Sequence, residues 1–145
     1  MNATLSGLQS VVLVTVLFAM GCSSQIASDV VQSSQASLDQ AKSLVVKGGS
    51  SSEALTLLDS AILDPGLDAD QYVEAVLLRA RCYADAGEFE KAEADLEEAE
   101  LGDPGEALLH FTKAIVYDKQ GKAKESKKEF AIARRLDSSL KMPKY

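Results

Sequence analysis

Shifted by 34 residues against itself, the chain superimposes residues 73–106 on 107–140 without a gap, and this duplication limits the possible folds more than any other feature. Ala80 falls on Ala114, Tyr83 on Tyr117, Gly87 on Gly121, Ala99 on Ala133 and Asp103 on Asp137, with Leu96 on Phe130 and Ala92 on Ser126 as conservative matches. Each unit reads as helix, tight turn, helix. Gly87 and Gly121 follow helix-compatible runs and tolerate the left-handed conformation that ends a helix, so the hairpin turns there. Ala80 and Ala92, like Ala114 and Ser126, let paired helices approach closely, while Tyr83 with Leu96, and Tyr117 with Phe130, fill the space beside them. Pro104 lacks an N–H, so it can stop one helix and open the next.

Composition agrees with helix. The 145 residues are one domain's worth of chain, without Trp and with only 6% aromatic residues, which favours small-residue helix packing over a sheet. A net charge of −7 excludes nucleic acid as a general partner, since phosphate binding needs surplus cations. That charge is unevenly divided: residues 73–106 carry −8 and residues 107–145 carry +6. In the repeat alignment Glu88 meets Lys122, Glu90 meets Lys124, Glu93 meets Lys127 and Glu100 meets Arg134. If the second helices stack side by side, such pairs select register between neighbours, at about 0–1 kcal/mol each. The sharper alternative is that the basic final helix, 122–135, receives an acidic surface from another protein or a second copy, giving a homo-oligomer.

The pattern of Ala80, Ala92 and Ala99 with Tyr83, Leu96, Gly87 and Pro104 resembles the tetratricopeptide repeat. Unit 73–106 is the strong match, whereas 107–140 departs from it at Ser126 and Ser138. Leu38, Ala41, Val45, Gly49, Ala54, Leu58, Ala61 and Asp64-Pro65 fit a third, degenerate copy over 35–68, followed by an insertion around 67–71. Its first helix can begin as early as Ser28. The fold class expected is all-α, a right-handed solenoid of about three antiparallel helical hairpins, with 141–145 as a tail. The resemblance implies a concave groove lined by the first helices, here Glu74, Leu77, Arg81, Ala84 and Asp85, then Leu108, Phe111, Ile115, Asp118 and Lys119. Leu108, Phe111 and Ile115 would form an apolar stripe for a partner peptide or helix, with Arg81, Asp85 and Lys119 setting polarity. The competing reading is that the chain's own segment 26–31 fills the groove. The paired Lys and Asn residues by which co-chaperone relatives clamp a carboxylate are missing from these positions.

The N-terminus carries a different signal. Residues 11–20 are almost wholly apolar but span only about 15 Å as a helix, against a hydrocarbon core of about 30 Å. This suits a secretory signal, with cleavage between Gly21 and Cys22. The stretch Phe18-Ala-Met-Gly-Cys22 resembles the lipobox of bacterial lipoproteins, which implies a lipid on Cys22 and attachment to a membrane. Ala19 stands where the family favours Leu or Val, and residues 1–10 hold no Lys or Arg. An ordinary signal peptide and an uncleaved anchor are the alternatives. Residues 22–34, rich in Ser and Gln, read as a tether. Ser23 after the cysteine leans toward the outer membrane, with the domain in the periplasm.

Catalysis finds little support. His110 stands alone without an evident partner, Cys82 reads as a small buried hydrophobe, and the run 93–100 reads as a solvated acidic face. No metal-ligand cluster or phosphate loop is present in the sequence, so neither an enzyme nor a cofactor is expected. The expected function is that of an adaptor between proteins in the cell envelope, or else a structural subunit of an envelope complex.

Overall fold

The computed structural model describes residues 9–102 and 104–142, with side chains from Ser28 onward. Among the described residues the chain is all helical, with six helices and no strand: α1 Gln9–Lys47, α2 Ser51–Leu63, α3 Ala69–Ala86, α4 Phe89–Leu101, α5 Glu106–Lys119 and α6 Ala123–Leu136.

Local chemistry explains most boundaries. The Ser50 side chain accepts from Glu53 N–H at the start of α2. Asp68 opens α3 through a capping box: its carboxylate accepts from Gln71 N–H at 2.8 Å, and Gln71 Oε1 accepts from Asp68 N–H at 3.1 Å. This box lies within the stretch 67–71 that the sequence marks as an insertion, so α3 starts four residues before the repeat unit at 73. Gly87 closes α3 at φ 77°, and Glu88 N–H then donates to Tyr83 C=O at 2.9 Å. Gly121 adopts φ 75° after α5, and Gly48 adopts φ 67° after α1, so Gly48 rather than the expected Gly49 takes the left-handed position.

Successive helices form three hairpins, α1 with α2, α3 with α4 and α5 with α6; α2 rests on α3, and α5 rests on both α3 and α4. Two cores share α3. One gathers Leu38, Ala41, Leu58, Ala61, Leu78 and Cys82 from α1, α2 and α3, and the other gathers Val76, Leu77, Ala80, Ala92, Leu96 and Val116 from α3, α4 and α5. A third core holds Phe111, Ile115 and Ala133, with Phe130, Leu140 and Met142 against them. The residues after α6 therefore fold back onto α5.

Three expectations change here. Residues 22–34 are helical, as part of α1, and Ser34 is buried with its hydroxyl donating to Val30 C=O at 3.1 Å. The helices α4 and α6 make no contact, because α5 lies against α4 in place of α6. Hence none of the expected α4–α6 pairs forms. Lys122 instead reaches Glu93 at 3.6 Å, Lys113 pairs with Glu100, and Lys119 reaches Asp85 at 2.7 Å. Finally, Phe130 stacks on Phe111 with centroids 6.2 Å apart, while Tyr117 has Lys122 over its ring.

The α2–α3 link touches α1 at Gly66. A Cβ there would lie 2.8 Å from both Val30 O and Val31 Cα and 2.5 Å from Ser34 Oγ, and helix backbone cannot yield. Gly66→Ala is expected to cost about 1–3 kcal/mol by overpacking, read as a lowered midpoint in urea denaturation. An unchanged midpoint would show that α1 does not pack there in solution.

Candidate binding cleft

Helices α1, α3 and α5, the first of each hairpin, border a cleft of about 210 Å³ lined by Lys42, Val46, Glu74, Leu77, Leu78, Arg81, Leu108 and Thr112. A second hollow of about 300 Å³ adjoins it between the start of α3 and the α4–α5 link, with Asp70, Val73, Pro104 and Gly105 in its walls. Glu74 and Leu108 belong to both hollows. Lys42 bridges to Glu74 at 2.7 Å across the α1–α3 boundary, and the Lys119–Asp85 pair ties α5 to α3 further along. Thr112 lies beneath the cleft, with its hydroxyl fully buried and without a hydrogen-bond partner among the described residues. A polar group left so is costly unless a ligand or water reaches it.

Of the expected groove residues, the structure brings Glu74, Leu77, Arg81 and Leu108 together in this cleft. Asp85 and Lys119 pair beside it, and Asp118 is exposed. The apolar stripe does not exist as expected. Leu108 keeps 37% of its surface, but Phe111 keeps 9% and Ile115 1%, because Phe130, Ala133, Leu140 and Met142 cover them. Leu77 and Ala84 are buried as well. Arg81 lies over the Phe111 ring, 5.8 Å from its centroid. The N-terminal segment expected as a rival occupant falls partly on residues whose side chains lie outside the described set. Gly21 and Cys22 fall there too.

Lys42, Val46, Leu78 and Thr112 were missed by sequence reasoning. The first two lie on the most degenerate copy, where groove register was not assigned; Thr112 follows Phe111 and sits between two groove positions, so it reads as packing.

A second polar centre was also missed. Arg79 on α3 donates from Nε and Nη2 to both carboxylate oxygens of Asp95 on α4, at 2.9 and 2.8 Å, and from Nη1 to Asp59 on α2 at 3.2 Å. Burial pushes the Asp95 carboxyl up while Arg79 opposes that rise, and the bond to Asp95 keeps the guanidinium protonated. Tyr72 on α3 donates to Glu98 on α4 close by, and that bond raises the phenol. Asp95 thus corrects the reading of 93–100 as a wholly solvated face. The signal was available: residues 92, 95, 96 and 99 share one helix face, and three of them are core residues.

His110 also has a partner after all, with Nδ1 2.6 Å from Glu129 Oε2, which ties α5 to α6. Cys82 is buried between α3 and its neighbours, and burial pushes its thiol up to about 11, so it is a poor nucleophile at neutral pH. Among the described residues no cluster of His, Cys, Asp or Glu is arranged to hold a metal ion. No family model, curated protein or solved structure matches the chain.

Proposed function

We propose that this chain is a non-catalytic lipoprotein of the bacterial cell envelope, lipid-anchored through Cys22 at the outer membrane. It faces the periplasm and acts as an adaptor that binds a protein or peptide across a tetratricopeptide-like groove. The single observation that carries the reading is the cleft bordered by α1, α3 and α5, which gathers Glu74, Leu77, Arg81 and Leu108 on one surface. Leu108 and Val46 supply exposed apolar anchors, and the ionic groups fix orientation. The helical, repeat-built architecture supports a solenoid, a form suited to extended binding surfaces.

A second reading, self-assembly into an envelope complex, is favoured by α6. Its exposed cations Lys124, Lys127, Lys128, Arg134 and Arg135 make no ion pair among the described residues. One experiment addresses both readings. A photo-crosslinking residue replaces Leu108 or, on α6, the exposed Ala131 in the full chain in cells. The adaptor reading expects a discrete adduct from position 108 that is lost on adding Val46→Glu. Adducts of twice the chain mass from position 131 would favour self-assembly, and no adduct at 108 above that from 131 would overturn the adaptor.

A further inference from the structure

Seven large apolar side chains are exposed among the described residues, and their placement is uneven. Val46 and Leu108 belong to the cleft. The other five, Val31, Leu63, Tyr72, Leu101 and Leu136, lie along one edge of the helix array. Leu63, Leu101 and Leu136 are the last residues of α2, α4 and α6, so all three sit at the end opposite the turns at Gly48, Gly87 and Gly121. Leu63 and Leu101 are 82% and 90% exposed. Tyr72 is in the first turn of α3 and bonds to Glu98 near the end of α4, which places it at the same end. Gly66, three residues after Leu63, touches Val30, Val31 and Ser34, which adds Val31.

Helix α1 leaves the array at this edge. From Val30 its backbone runs on toward Cys22, eight residues away or about 12 Å at 1.5 Å per residue. That exceeds a headgroup layer of about 5–8 Å by about 4–7 Å. A modest lean of the helix therefore brings the edge to the membrane surface.

We infer that the edge bearing Val31, Leu63, Tyr72, Leu101 and Leu136 rests on the lipid surface to which the N-terminus is attached, with Val46, beside the turn at Gly48, at the opposite end. The occupant is lipid because the edge is continuous, through α1, with the apolar run 11–20 and Cys22. Asp64, Asp68 and Asp70 share this edge, so the contact is apolar and not an attraction to anionic headgroups. The inference rests on the proposed membrane attachment, but not on whether a lipid or an uncleaved anchor provides it.

The test uses the full chain in bacterial membranes, with Leu101→Cys or Val46→Cys labelled by a water-soluble maleimide and the wild type as background. Leu101→Cys is expected to react severalfold more slowly in membranes than after detergent extraction, while Val46→Cys reacts equally in both. Equal rates for Leu101→Cys in membranes and detergent would overturn the inference. So would protection that persists in detergent, which would place a second copy on the edge. Release of the wild-type chain by a carbonate wash would instead refute the attachment itself, and the edge contact with it.

Discussion

Replacing Arg79 by Met is expected to lower the unfolding free energy by about 3–5 kcal/mol, the loss typical of stranding one member of a buried ion pair. The Asp95 side chain is only 7% exposed and belongs to the same helix face as Ala92, Leu96 and Ala99. Without the guanidinium its charge has no counterpart on α3, and Asp59 on α2 loses its link to the same group. The double variant Arg79→Met with Asp95→Leu is expected to recover much of the loss, because the buried charge disappears with its partner. Urea denaturation followed by circular dichroism measures both. A single-variant loss of only about 1 kcal/mol, the value of an exposed pair, would show that water reaches the pair in solution.

Phe111→Ala is expected to cost a comparable amount, about 3–5 kcal/mol for a buried Phe, and to do so unevenly along the chain. Its ring contacts Phe130 on α6, Arg81 on α3 and the cluster completed by Leu140 and Met142. The C-terminal hairpin should therefore open first, seen as early proteolytic cleavage within residues 106–142. Leu108→Glu, three residues away on the cleft surface, should cost less, about 1 kcal/mol, because Leu108 is 37% exposed. Lost partner binding in a Phe111 variant would consequently report unfolding, whereas the same loss in Leu108→Glu would report the cleft. Equal stability of Phe111→Ala and wild type would mean that the residues after α6 do not cover the ring.

The helices, their glycine turns and the small core residues were legible because each follows from local rules. Ala80 and Ala114, like Ala99 and Ala133, recur 34 residues apart, Ala92 lies two turns before Ala99 and all five are buried, while Gly87 and Gly121 end helices where a left-handed residue is needed. What could not be read depends on which element lies against which. Arg79 and Asp95 look like surface charges one by one; only the approach of α3 to α4 makes them a buried pair. Phe111 and Ile115 occupy groove positions in the repeat pattern, yet they are buried in a cluster with Ala133, against which Phe130, Leu140 and Met142 pack. The charge alignment between repeats likewise assumed that like helices touch, and α5 takes the place that α6 would need.

The folded-back residues after α6 have a consequence for growth of the structure. An array of hairpins with a bare last face can recruit another hairpin, from its own kind or elsewhere, and lengthen without limit. Here Leu140 and Met142 already occupy the apolar ground on α5, while the Ser139 N–H and hydroxyl hold Asp137 Oδ1 at 2.9 and 2.7 Å and set the turn that returns the chain. Any newcomer must first displace them. Extension at that face is thus a competition against a tethered occupant at high effective concentration.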